Sequence, residues 1–184
     1  MLAADGYDQF AELFTTRGGK DVEPFVKRFE GASRRLQSIG QQFQLSGRTI
    51  DGQDFDISSL RGKIVLVDFW ATWCQPCIRE LPNVSLLYRR YHDQGFEVVG
   101  VSLDPEMGAL KDFLRSKEVS WATIPASIGS ENPVIAHYGI FSIPQMILID
   151  RDGKVIATGL RGEELNAQLQ SIFGADTNSG KSDG

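Results

Sequence analysis

Both cysteines of the chain, Cys74 and Cys77, fall in one stretch, Phe69 to Pro82 (FWATWCQPCIRELP). Two residues between cysteines suit the first turn of a helix and permit a reversible disulfide. Immediately upstream, Lys63 to Asp68 (KIVLVD) is a short, β-branched apolar run of the kind that forms a buried strand. The pair therefore belongs at a strand-to-helix junction. Unpaired amide N–H groups and the positive end of the helix dipole there favour a thiolate over a thiol. Cys74, the first of the two, is expected to stay exposed and act as the nucleophile. Cys77, one turn further in, is better placed to resolve a mixed disulfide than to start one.

A CxxC is also half of a zinc site, which needs four ligands. Besides the cysteines the chain offers only His92 and His137, at no metal-ligand spacing. Both are expected at the ends of helices, on the surface and without a role, so no metal is assigned.

The stretch resembles the active site of the thioredoxin superfamily, through Trp73-Cys74-Gln75-Pro76-Cys77 at the end of a strand. Extended to Cys77, Glu80 and Pro82, in the order C-x-P-C-x-x-E-x-P, it is similar to the TlpA-like and ResA-like thiol-disulfide oxidoreductases, with an AhpC/TSA-redoxin-like domain. The resemblance covers about Phe43 to Phe173. It implies an α/β, thioredoxin-like fold: a central mixed β-sheet flanked by helices, with an N-terminal β-hairpin and an N-terminal helical extension. The division expected is residues 1–42 for the extension, 43–174 for the thioredoxin-like domain and 175–184 for a disordered tail.

The chain in order fits that outline. Tyr7, Phe10, Leu13 and Phe14 share one helical face, and Gly18-Gly19 ends it. From Pro24, the positions Phe25, Phe29, Ala32, Leu36, Ile39 and Phe43 recur at spacings of four and three, predicting an amphipathic helix with a narrow seam that reaches Gly40 or beyond. A helical hairpin laid on the domain is the expectation, with a remnant of a larger N-terminal region as the alternative. Phe43 to Ile57 alternates around Asp51-Gly52, a hairpin signal. After an active-site helix from about Cys74 to Tyr91, Phe96 to Leu103 is a second buried strand, parallel to the first. Met107 to Glu118 predicts a helix, Trp121 to Ile124 a short strand, and Asn132 to Tyr138 another helix. Gln145 to Asp150 and Val155 to Thr158 form a hairpin about Asp152-Gly153, and Glu163 to Phe173 is the last helix.

The resemblance also implies roles. Pro144 would be the cis-proline that faces the CxxC, against the trans default for any X-Pro bond, and the backbone of Ile143 would offer strand-like hydrogen bonds to a substrate segment. Asp68, six positions before Cys74, matches the buried acid beneath the cysteines; a raised pKa would let it take the Cys77 proton. Its alternative is a strand-end carboxylate in solvent, and the lysine that thioredoxins place nearby is missing from Phe96 to Leu103. Glu80 matches the motif acid in a cleft beside the cysteines, or is an exposed first-turn glutamate. Trp73 would form the rim on which substrate rests, unless it is core like Trp70. Pro82 would bend or loosen its helix.

The function so implied is a thiol-disulfide oxidoreductase that reduces protein disulfides, with no cofactor beyond the Cys74–Cys77 disulfide. Its partners would be disulfide-containing or dithiol proteins, apocytochrome c among the candidates, and a thiol electron donor that can be membrane-bound. One rival is a thiol peroxidase, whose P-x-x-x-[ST]-x-x-C setting is not met, since Ala71 stands three residues before Cys74. The other is a redox-inert domain that binds extended peptides along Ile143-Pro144.

With 184 residues and 41% hydrophobic content the chain can bury one good core without structural disulfides. A net charge of −5 without a basic cluster argues against nucleic acid. No apolar run approaches the roughly 18 residues of a membrane span, and Met1 to Phe10 lacks the features of a secretory signal. The resemblance nevertheless implies an extracytoplasmic, periplasmic or membrane-anchored protein, with the cytoplasm as the alternative.

Overall fold

In the structure, a computed structural model describing residues 2–17, 22–126 and 133–176, the chain begins with two packed helices. Helix α1 (Leu2–Arg17) and helix α2 (Glu23–Gln37) meet through Tyr7, Phe10 and Phe14, whose rings lie 6.1, 5.9 and 5.9 Å from that of Phe29. The Gly18-Gly19 break lies outside the described residues, as does most of the expected tail.

Helix α2 stops at Gln37, short of the seam's predicted end. Gly40, at φ +82°, turns the chain into an extended run. Its N–H donates to Val155 O at 2.7 Å, Val155 N–H donates to Gln41 O at 2.9 Å, and Phe43 N–H to Gly153 O at 2.9 Å. Ile39 is thus exposed, and Phe43 enters the core from an extended segment to stack on Tyr138 at 4.6 Å. The apolar period across residues 36–43 joins two different structures.

Strands β1 (Ser46–Arg48) and β2 (Asp54–Asp56) form the expected antiparallel hairpin, with Gly52 at φ +82° in its turn. Its Ile50 N–H donates to Thr123 O at 2.8 Å, against the edge of the main sheet. That sheet contains β3 (Ile64–Trp70), β4 (Phe96–Ser102), β5 (Ala122–Pro125), β6 (Gln145–Ile149) and β7 (Val155–Thr158), in the order β5-β4-β3-β6-β7. The β3–β4 and β4–β5 pairs are parallel, whereas β3–β6 and β6–β7 are antiparallel. The sheet is mixed, as expected.

Alternation along the strands separates two cores. Val65, Val67 and Phe69 face one side with Val99, Val101, Ile147 and Phe43. This side is covered by helix α4 (Met107–Ser116) through Leu110 and Leu114, and by helix α5 (Pro133–Tyr138) through Ile135 and Tyr138. Ile64 and Leu66 face the other side, against Leu81, Val84 and Leu87 of helix α3 (Gln75–Tyr91) and Leu165, Leu169 and Phe173 of helix α6 (Gly162–Asp176). Seven consecutive buried residues in β3 show why it carries no polar face. Helix α3 runs through Pro82 without a break.

Candidate active site

β3 ends at Trp70, and Ala71-Thr72-Trp73 carries the chain into α3. The connection is tight: Cys74 N–H donates to Ala71 O at 3.1 Å, and Ile78 N–H to Cys74 O at 3.0 Å. Cys74 is the N-cap residue of α3, and its Sγ accepts the Cys77 N–H at 3.2 Å. One of the amide groups that a helix start leaves unpaired is therefore aimed at the sulfur.

Cys74 and Cys77 are joined by a disulfide, with Cα atoms 5.2 Å apart. The sequence argument expected Cys74 to remain exposed, yet both residues are only 5% exposed. The physical reason is the bond itself, which turns Cys74 Sγ inward over the first turn of the helix. What stands out at the rim is Trp73, 55% exposed, whereas Trp70 is core and packs on Phe113 at 5.5 Å.

Asp68 lies in β3 opposite Gly100 and Met146, on the face that packs on α3. It is 7% exposed, and its Oδ1 is buried without a hydrogen-bond partner, so the solvent-facing alternative does not hold. Burial, with a smaller contribution from the Glu80 charge, pushes its pKa up to about 7. The register puts Gly100 where a neighbouring strand could have supplied a cation, which agrees with the absence of a lysine there.

Glu80, on the first turns of α3, is half-buried rather than free in solvent. Its Oε1 accepts from Gly162 N–H at 2.9 Å, at the start of α6, and from Asn83 Nδ2–H at 2.8 Å. The start of α6 thereby fixes an acid that is electrostatically coupled to Asp68.

The Ile143–Pro144 peptide bond is cis. It leads directly into β6, whose first residue, Gln145, pairs with Phe69 near the end of β3. The proline turn and the cysteine loop consequently emerge at the same end of the sheet.

One residue at this end was not singled out from the sequence. Asp104, just past β4 and 6% exposed, accepts Thr72 N–H at 3.1 and 3.0 Å, the Thr72 hydroxyl at 2.5 Å and the Ser102 hydroxyl at 2.8 Å. It ties the loop before Cys74 to the adjacent strand. The available signal was positional: a Ser-x-Asp at the carboxyl end of a central parallel strand, where α/β sheets place their sites. His92 and His137 stand at the C-terminal ends of α3 and α5, and neither joins the site. Among the described residues no cluster of three or more His, Cys, Asp or Glu is placed to hold a metal ion.

A CxxC disulfide capping a helix, after a strand that buries an acid and at the same sheet end as a cis-proline turn, has the layout of a thiol-disulfide oxidoreductase of thioredoxin-like fold. Residues 39–158 match the model of the AhpC/TSA family. The chain belongs to that family, as a ResA/TlpA-like member of the thioredoxin superfamily. It is 33% identical over 176 residues to the thiol-disulfide oxidoreductase ResA of Geobacillus thermodenitrificans, covering 94% of this chain and 90% of the relative. It is 33% identical over 124 residues to ResA of Bacillus thuringiensis, covering 67% and 69%. Among solved structures, the thioredoxin domain of a thiol-disulfide oxidoreductase from Bacteroides vulgatus superposes with a TM-score of 0.67 at 29% identity, covering 73% of this chain and 97% of that one. The Geobacillus alignment takes in most of the first 42 residues, so the likeness is wider than Phe43 to Phe173. The peroxidase and redox-inert readings are not favoured.

Proposed function

We propose that the protein reduces disulfides of other proteins, with Cys74 as attacking sulfur and Cys77 as resolving sulfur. The observation that carries the assignment is the Cys77 N–H aimed at Cys74 Sγ from the first turn of α3, which favours negative charge on that sulfur. Exposure does not distinguish the two, since both are equally buried in the oxidised form.

In the reaction, Cys74 thiolate attacks one sulfur of a substrate disulfide; an S–S bond to substrate forms, the substrate bond breaks, and the released thiolate takes a proton from water. Cys77 then gives its proton to Asp68 and attacks Cys74 Sγ. The Cys74–Cys77 bond forms, the bond from Cys74 to substrate breaks, the second substrate sulfur leaves as a thiolate that takes a proton from water, and two electrons have passed to the substrate. With a pKa of about 7, Asp68 is divided between its two protonation states near neutrality, as an exchanging acid–base requires. Glu80 modulates it through charge. Trp73 and the Ile143 backbone beside Pro144 receive the substrate segment as an added strand.

A dithiol protein re-reduces the pair. The family setting supports an extracytoplasmic site of action, apocytochrome c as a substrate and a membrane-bound thiol donor; no helix among the described residues is long and apolar enough to cross a membrane. Residues 43–174 form the catalytic unit in this reading, with 1–42 as its extension; α6 continues to Asp176, two residues into the expected tail.

The test is trapping. Cys77→Ser should accumulate a mixed disulfide between Cys74 and a substrate protein, and Cys74→Ser should accumulate none. Trapping through Cys77 in the Cys74→Ser protein would reverse the assignment. Direction follows from the reduction potential: a value near that of thioredoxin, about −270 mV, supports a reductant, and one near about −120 mV makes the protein an oxidant.

A further inference from the structure

Helix α5 is only six residues long, and its last carbonyls have no partner within the helix. They are satisfied from outside the catalytic sheet, by α2. Arg34 Nε donates to His137 O at 3.0 Å and Arg34 Nη2 to Ala136 O at 3.4 Å. Arg35 Nη1 donates to Tyr138 O at 2.8 Å and to Gly139 O at 2.9 Å. Two cations thus sit on the negative end of α5, where the helix dipole favours them. Arg35 is held there although burial pulls its pKa below the usual guanidinium range.

The backbones meet as closely as glycine allows. A Cβ on Gly31 would fall 2.3 Å from Gly139 Cα and 3.2 Å from the Phe141 ring. Gly139 itself turns at φ +59°. Gly31, Arg34 and Arg35, spaced three and four apart, therefore form one face of α2 pressed on residues 136–141. Three residues lie between Gly139 and Ile143, and the four steps from one to the other span at most about 14 Å even if fully extended. A change in how α2 holds Gly139 reaches the proline turn with little slack to absorb it.

We infer that α2 is a brace for the substrate-docking turn: Gly31, Arg34 and Arg35 position Ala136 to Phe141, and through them Ile143-Pro144, so that the N-terminal helices set how protein substrates are presented to Cys74. This rests on the proposed docking of protein substrates along Ile143. Small disulfides, which reach Cys74 without an added strand, are indifferent to the brace. Gly31, Arg34 and Arg35 are positioning residues; they touch neither sulfur nor substrate.

The experiment uses the full chain and two substrates, insulin as a protein disulfide and oxidised glutathione as a small one. In the Arg34→Ala/Arg35→Ala double variant, KM for insulin should rise about tenfold with kcat within about twofold. The rate with glutathione and the reduction potential should stay at wild-type values. Arg35→Lys, which keeps the charge but not the fork, should recover part of the loss, and Gly31→Ala should reproduce it by displacing Gly139. An unchanged insulin KM in the double variant and in Gly31→Ala overturns the brace. So does a proportional fall of insulin and glutathione rates, which is the signature of general unfolding. A wild-type protein that exchanges with glutathione but does not reduce insulin overturns instead the protein-substrate reading beneath it.

Discussion

Two buried aspartates flank the disulfide loop in opposite surroundings. Asp104 is saturated, holding Thr72 N–H, the Thr72 hydroxyl and the Ser102 hydroxyl, and so joins the loop to β4. Asp68, equally withdrawn from water, has an oxygen with no partner at all. A carboxylate whose oxygens hold several donors acts as a strut, whereas an unsatisfied one in an apolar layer favours its protonated form. In the proposed mechanism the same side chain serves the geometry of the site in one place and its proton chemistry in the other.

The largest expected effect is the pH dependence that Asp68 confers. Between about pH 4 and pH 7 the folded protein holds a proton on Asp68 that the unfolded chain has lost, so the contribution of Asp68 to stability falls as pH rises and levels off above about 7. A shift from 3.8 to about 7 corresponds to about 4 kcal/mol. Denaturant unfolding of the oxidised protein at pH 4 and pH 8 should therefore show wild type losing about that much relative to Asp68→Asn. In the same variant, resolution of the mixed disulfide should slow about a hundredfold at pH 7. If wild type and variant follow parallel stability curves, Asp68 is not the proton carrier.

Next comes the strut. Asp104→Ala leaves donors from Thr72 and Ser102 without an acceptor and should cost about 3 kcal/mol. Matching thermal stability in the variant would show that the loop is held by other means. The smallest effect is Thr72→Val, which removes the hydroxyl contact but keeps the backbone one. We expect about 1 kcal/mol of destabilisation and an unaltered reduction potential, measured by equilibration with glutathione; a shifted potential would move Asp104 from the geometry of the site into its redox chemistry.

The contrast also marks what the sequence could convey. The strand was legible over Lys63 to Asp68 because a strand buried on both faces has to be apolar almost throughout, though it runs two residues further, to Trp70, and Asp68 was visible as the one charged residue inside it. Cys74 and Cys77 were found as the two cysteines of one motif after that strand, and Pro144 through the resemblance, by its place just before the Gln145 strand. Asp104 was not, because a carboxylate after a strand looks the same whether it faces water or a threonine thirty-two residues away. The end of α2 was missed for a related reason. Ile39 and Phe43 continue the helical spacing by coincidence, and only pairing with Gly153 and Val155 shows that the backbone has already become extended. The capping of α5 by Arg34 and Arg35 depends on contacts more than a hundred residues apart in sequence, and periodicity carries no record of them.

That extended segment has a further consequence. The main sheet has two open edges, β5 and β7, whose unpaired N–H and C=O groups would each be a template for another chain. Residues 39–43 occupy part of the β7 edge, and the hairpin that follows meets β5 through Ile50 and Thr123. The strap between the helices and the redox strand is thus a guard against intermolecular strand pairing.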